Sequence, residues 1–146
     1  MFYGEFEHSL DRKGRLIIPS KFRDVLKEAY VEKLYVTRGL DKCLFLFSEE
    51  EWRTQESAFK SKSFTKSINR KFNRLFFSGA QEATPDKQGR ILLPSYLKEH
   101  AGIKKDIMLI GVSNRIEIWS KEKWQEYYEG SRESFEAIAE DLIEEQ

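Results

Sequence analysis

With 146 residues the chain has room for one ordinary core or two small lobes. Its 25 Lys and Arg balance 25 Asp and Glu, so overall charge argues neither for nor against a polyanionic partner, and only the distribution of charge can decide. The single cysteine, Cys43, excludes an internal disulfide framework and a cysteine zinc cluster within one chain; no charged-then-apolar leader opens the sequence and no apolar run approaches the roughly 18 residues of a membrane helix, so a soluble cytoplasmic protein is expected.

Phe2 to Leu10 reads as a short strand with mixed faces, and Gly14 marks a tight turn into the apolar run Leu16-Ile17-Ile18. Pro19 has no N–H to give a ladder but suits the first turn of a helix. With Ser20 as candidate cap, the spacing predicts a short helix from Ser20 to Ala29 whose apolar face is Phe22, Val25, Leu26 and Ala29. Strands Leu34 to Thr37 and Leu44 to Phe47 flank the turn residues Gly39-Leu40-Asp41-Lys42, with Cys43 expected as a small buried thiol. Ser48 should cap a longer helix, with Trp52 starting its packing face. From Lys60 to Gly79 there are six bases and no acid, and Phe64, Ile68, Phe72, Leu75 and Phe76 recur three and four apart, which predicts a basic amphipathic helix.

A second copy then follows. Asp86-Lys87-Gln88-Gly89-Arg90-Ile91-Leu92-Leu93-Pro94-Ser95 repeats Asp11-Arg12-Lys13-Gly14-Arg15-Leu16-Ile17-Ile18-Pro19-Ser20, and Ile116-Glu117-Ile118-Trp119-Ser120 answers Leu44-Phe45-Leu46-Phe47-Ser48. The offset falls from 75 at the first block to 72 at the second, a three-residue deletion expected around the helix end and connector from Lys27 to Lys33. Leu97, His100 and Ala101 should ride a helix that Gly102 ends in a left-handed conformation, with His100 placed where a cation suits the dipole. A hairpin of Ile107 to Ile110 with Ile116 to Trp119 should turn at Gly111-Val112-Ser113-Asn114, and Ser120 should cap the last long helix. Each copy is thus strand, turn, strand, short helix, hairpin, longer helix. Each is also too small to trust alone, which suggests one integrated domain sharing a core. The expected layout is a first repeat over 5–52 with a helical connector over 53–78, then a second repeat over 79–124 with an acidic helical tail over 125–146.

The repeated Asp-x-x-Gly-Arg turn concentrates the chemistry. Gly14 and Gly89 supply a positive φ without steric cost, while Asp11 and Asp86 can accept backbone N–H bonds across the turn or pair with the following Arg. One arginine suffices to pin Asp11, so Arg12, Lys13 and Arg15 hold surplus charge that must point elsewhere; the second copy keeps Lys87, Gln88 and Arg90. Guanidinium groups reach phosphates and the O6/N7 edge of guanine with two parallel bonds, and an amide can pair with adenine. The chain is also polarised: residues 11–27 carry six bases against two acids, whereas 121–146 carry nine acids against three bases.

The opening from Met1 to Pro19, together with Gly79-Ala80-Gln81, Asp86 to Pro94 and Ile116 to Trp119, closely resembles the bacterial MraZ family over nearly the whole chain. The resemblance implies an α+β fold of SpoVT-AbrB type, a swapped-hairpin β-barrel formed by two internal repeats with peripheral helices. It implies a transcriptional regulator, typically a repressor, of the division and cell-wall gene cluster including its own promoter. It further implies a nucleoid-associated ring of identical subunits that binds tandem short repeats in double-stranded DNA. Carried over to these turns, Arg15 and Arg90 would contact base edges, Arg12, Lys13, Lys87 and Gln88 would complete the DNA-facing set, and Asp11, Gly14, Asp86 and Gly89 would shape the turns. Whether the basic helix over 60–77 touches DNA is left open, with a solvated face as the default.

An alternative is a protein interaction or scaffold module that docks a partner through its acidic C-terminal helix, where Phe135, Ile138, Ala139, Leu142 and Ile143 form an apolar stripe. The preferred reading of that stripe is packing on its own barrel or on a neighbouring subunit. An enzyme is the weakest reading: His8 and His100 are the only histidines, and neither stands in a nucleophile, phosphate-loop or metal-ligand pattern. No cofactor is expected.

Overall fold

The computed structural model describes residues 1–144. The first copy runs β1 (Phe2–Ser9), β2 (Arg15–Ile17), α1 (Ser20–Glu28), β3 (Leu34–Arg38), β4 (Leu44–Ser48) and α2 (Glu49–Lys60), followed by α3 (Ser67–Gly79). The second repeats that order as β5 (Gln81–Ala83), β6 (Arg90–Leu92), α4 (Ser95–Ala101), β7 (Asp106–Ser113), β8 (Ile116–Ser120) and α5 (Lys121–Ser131), then ends in a 3-10 turn (Arg132–Ser134) and α6 (Phe135–Glu144). The fold is α+β.

Local chemistry sets most boundaries. The Ser48 hydroxyl accepts the Glu51 N–H at 3.3 Å and the Ser120 hydroxyl accepts that of Lys123 at 3.1 Å, so both long helices start at a serine cap. Ser20 does not cap α1: Pro19 holds the N-cap position with φ −52°, and Ser20 is the first helical residue. Proline's fixed φ starts the helix, and Pro94 does the same for α4. The three-residue difference between the copies lies where the sequence placed it, for α1 has nine residues and α4 seven, and the connector to the next strand is one residue longer in the first copy. Both short helices end alike, with Val31 N–H bonding Leu26 O and Ile103 N–H bonding Lys98 O. The left-handed residue before each of these bonds is Gly102 (φ 63°) in one copy and Tyr30 (φ 55°) in the other.

The six-stranded sheet has the order β1-β7-β8-β4-β3-β5, antiparallel throughout, and β2 pairs with β6 as a separate two-stranded ribbon. Among the described residues only the hairpins β3–β4 and β7–β8 join strands of one copy. All other pairings cross between copies, and exchanging the copies reverses the strand order onto itself. The pseudo-twofold axis passes between equivalent residues: Leu16 faces Ile91 in the ribbon, and Phe45 faces Glu117 in the sheet. Leu16, Phe22, Leu44 and Leu46 pack with Ile91, Leu97, Ile116 and Ile118 in one core to which both copies contribute. At the axis the two copies differ. Glu117 is buried and receives bonds from Trp119 Nε1 (3.0 Å) and Arg115 (2.9 Å), while the Arg115 guanidinium lies 4.8 Å from the Phe45 ring centre.

Three expectations are corrected. Among the described residues the ladders do not close a barrel: β1 and β5 are sheet edges, and the three-residue strands β2 and β6 end at Ile17 and Leu92, short of Pro19 and Pro94. The basic segment is not one helix from Lys60 to Phe77, because α2 ends at Lys60 and α3 starts at Ser67; Phe64 lies in the break, and Ile68 and Leu75 are exposed while Phe72 and Phe76 pack on Phe59. The tail helix α6 buries none of its residues, so its stripe does not pack on the chain's own body. The second hairpin is also tighter than its turn residues suggested, since Gly111 to Ser113 continue β7 to pair with Phe2 to Gly4.

Candidate nucleic-acid interface

The two Asp-x-x-Gly-Arg turns have the same geometry. In the first, Asp11 Oδ1 accepts the N–H groups of Lys13 and Arg15, both at 2.9 Å, and Oδ2 accepts Arg15 Nε at 2.7 Å. In the second, Asp86 Oδ1 accepts the N–H groups of Gln88 and Arg90, both at 2.9 Å, and Oδ2 accepts Arg90 Nε at 2.8 Å. These donors stabilise the charged form, so both carboxyls titrate below the usual aspartate range, the backbone N–H of the following arginine contributing most. Gly14 (φ 77°) and Gly89 (φ 79°) close the turns.

The turns are fixed to each other as well as internally. Leu93 N–H bonds Gly14 O at 3.0 Å and Ile18 N–H bonds Gly89 O at 2.9 Å, each crossing between copies. Arg90 Nη1 comes within 4.0 Å of Asp11 Oδ2, and His8 Nδ1 lies 2.8 Å from Ile17 O, tying β1 to the ribbon. The two glycines serve a second purpose that their φ angles do not reveal. A Cβ on Gly14 would stand 3.1 Å from Lys98 Nζ and one on Gly89 would stand 2.7 Å from Arg23 Cδ, so a cation from the opposite copy's short helix lies against each turn.

The predicted residues divide into two groups. Arg12, Lys13, Lys87 and Gln88 are exposed, and their side chains make no hydrogen bond or ion pair among the described residues. Arg15 and Arg90 are each 27% exposed and pin their own turns through Nε, while Arg12, Lys13 and Lys87 point outward unpinned. In the ribbon register Arg15 faces Leu92 and Ile17 faces Arg90, and all four side chains lie on the face opposite the buried Leu16 and Ile91. Arg23, Lys98, Ile17 and Leu92 were missed in the sequence reading. Arg23 and Lys98 each stand four residues after the proline of their copy, and that shared spacing was the available signal.

A family model described as "MraZ protein, putative antitoxin-like" matches residues 1–75 and again residues 76–146, one match for each of the copies just superposed by the pseudo-twofold axis. The chain belongs to the MraZ family. As an MraZ-family protein it is a two-repeat member of a regulator-like family, and its two matched halves are the halves that interleave in the sheet.

The remaining reactive groups of this MraZ-family chain lie away from the turns. Cys43 is fully buried, its thiol pushed up by burial and donating to Leu40 O at 3.2 Å. At His100 burial lowers the pKa and so disfavours the cation expected at a helix end, and Nε2 is buried with no hydrogen-bond partner among the described residues. Among the described residues no helix is long and apolar enough to cross a membrane.

Proposed function

We propose that the chain is a sequence-specific DNA-binding transcriptional regulator whose two Asp-x-x-Gly-Arg turns and the outer face of the β2–β6 ribbon enter the major groove. The observation that carries this reading is the doubled turn: each carboxylate is satisfied by its own backbone and arginine, which leaves Arg12, Lys13 and Lys87 with charge directed at solvent from a rigid support. A two-stranded ribbon fits the major groove, and arginine reads guanine there. In this reading Arg12, Lys13 and Lys87 hold phosphates, Gln88 reads or positions, and the guanidinium Nη groups of Arg15 and Arg90 face base edges.

The pairings that cross between copies support a single cooperative domain of swapped-hairpin character, with the two turns held as one unit. The family resemblance extends the reading to a repressor of the division and cell-wall gene cluster and of its own promoter, acting in the cytoplasm at the nucleoid. There it would act as a homo-oligomeric ring on tandem short repeats. Two unequal turns per subunit make modest contacts, which adjacent subunits on adjacent repeats would multiply.

The test is a fluorescence-anisotropy titration against the chain's own upstream promoter duplex and a scrambled duplex at two salt concentrations. A preference for the promoter that weakens steeply with salt is expected. Arg15→Ala should lose about 1 to 3 kcal/mol of that preference for each bidentate contact removed. Equal and weak binding to both duplexes would overturn the reading. It would favour the second one, a module that docks a protein partner through the exposed stripe of α6.

A further inference from the structure

Beside the second turn one buried polar atom lacks a partner. Arg23 Nε is enclosed by protein and makes no hydrogen bond among the described residues. An N–H left in that state is costly and calls for an acceptor from outside the chain. The Arg23 guanidinium lies on Gly89, where a Cβ would stand 3.1 Å from Nε and 3.2 Å from Nη1, and it walls a cleft of about 210 Å³ between α1 and the second turn. Lys27 and Lys87, both exposed, line the same cleft.

The lining has the chemistry of an anion site. Arg23 and Lys27 stand four residues apart on one face of α1, a spacing at which like charges repel and weaken a helix. A bound anion turns that repulsion into attraction, and Lys87 adds a third cation from the other copy. The acid in the lining, Asp86, does not compete for them, because both its oxygens are engaged by Gln88 and Arg90. Leu26, Val31 and Pro85 give the cleft an apolar side, which suits a sugar flanking a phosphate better than a bare inorganic ion.

Comparison of the copies says which phosphate. The first turn carries Arg12, Lys13 and Arg15, while the second has Lys87, Gln88 and Arg90, one cation fewer. Against the first turn lies Lys98, in the place of Arg23, and Gly102 stands in the place of Lys27. With Lys98 added to the first turn and Arg23 and Lys27 to the second, the two turns present four of these cations each. We propose that the cleft holds a backbone phosphate of the duplex, gripped by Arg23, Lys27 and Lys87, so that α1 anchors the second turn on DNA. Arg23 supplies fixed N–H donors and the two lysines act as point charges. This inference rests on the DNA reading above and assigns α1 a positioning contact that carries no sequence information.

Anisotropy titrations of the full chain against the promoter and scrambled duplexes, over a series of salt concentrations, test it with Lys27→Gln, Arg23→Gln and Arg23→Lys. Lys27 is exposed, so its variant keeps the fold, and unchanged far-UV circular dichroism is the control for the Arg23 variants. Each glutamine variant should weaken binding to both duplexes by the same factor and make the fall of log K with log salt shallower by about one. Arg23→Lys, which copies Lys98, should keep the wild-type slope. A Lys27→Gln protein with unchanged affinity and slope would overturn the site, as would a loss confined to the promoter duplex. If inorganic phosphate raises the wild-type Tm above that in chloride of equal ionic strength while both glutamine variants bind duplex normally, the cleft takes a free anion and the duplex assignment fails. A wild type that binds both duplexes equally, with both glutamine variants weakened on each, loses the sequence-specific reading and keeps the phosphate site. One that prefers the promoter with variants unaltered keeps the functional reading and loses the site, and one that binds neither duplex loses both.

Discussion

Asp11 is the residue at which two physical arguments give opposite signs. If net charge governed DNA affinity, Asp11→Ala would strengthen binding by removing an anion from a cationic face. Its carboxylate, however, holds two backbone N–H groups and Arg15, so its loss frees the turn that aims Arg12 and Lys13. We expect Asp11→Ala to bind the promoter duplex about tenfold more weakly, roughly 1.4 kcal/mol, as read by anisotropy. The same carboxylates set an acid limit. Because Asp11 and Asp86 titrate below their ordinary value of about 3.9, their contribution to folding is fully present above that value and disappears as pH falls through the lowered one. The difference in urea midpoint between wild type and an Asp11→Asn, Asp86→Asn protein should therefore be constant near neutrality and shrink only below about pH 4. Tyr30 is the other residue whose backbone decides its effect: it holds φ 55° where the second copy has Gly102. Tyr30→Gly should raise stability by up to about 1 kcal/mol, measured as a higher midpoint in thermal unfolding. The turn's internal chemistry was legible, since Asp as acceptor and Gly at positive φ are local properties. The placement of Arg23 and Lys98 against the glycines was not, because that contact joins residues whose nearness depends on how the copies interleave.

At the scale of elements, the repeat made nearly every strand and helix legible, and the misreadings share a cause. Helical spacing predicted one basic helix through Phe64 and allowed the tail to pack on the chain's own body, because periodicity reports which side chains could share a face and not whether that face finds a partner within the chain. Phe72 and Phe76 found Phe59; Phe64, Ile68, Phe135 and Ile138 stay exposed. The strand β1 illustrates the opposite case, a marginal segment fixed by a long-range partner. It pairs with β7 along its whole length, from Phe2 opposite Ser113 to Ser9 opposite Asp106, with Gly4 facing Gly111. A Cβ on Gly111 would lie 2.5 Å from Tyr3 N, a backbone atom that cannot move aside alone. Gly111→Ala should cost about 1 to 3 kcal/mol by urea denaturation. Gly130→Ala, with nothing within 4 Å of its new methyl in α5, should be neutral or stabilise the helix by up to about 1 kcal/mol.

For the whole molecule the governing fact is that strands cross between copies, which the duplicated sequence implied only as a shared core. A half cut off at residue 75 keeps the hairpin β3–β4 but loses the partners of β1 and β2. We expect residues 1–75 and 76–146, expressed separately, to give no folded monomer by circular dichroism, and to recover a native spectrum when the two are refolded together. The pair at the pseudo-twofold axis says what such halves would do. Two second halves meeting as a symmetric dimer would set Glu117 against Glu117, two buried carboxylates facing each other, while two first halves would set Phe45 against Phe45 and leave no Arg115 to stack on either ring. The acid takes its Arg115 and Trp119 donors from its own half, and the mixed pairing alone sets it against a ring instead of a second carboxylate and gives that ring a guanidinium to stack on. Phe45 and Glu117 thus act as a stoichiometry key: they make each half the other's preferred mate, so that neither half could be replaced by a second copy of its counterpart without losing the match at the axis.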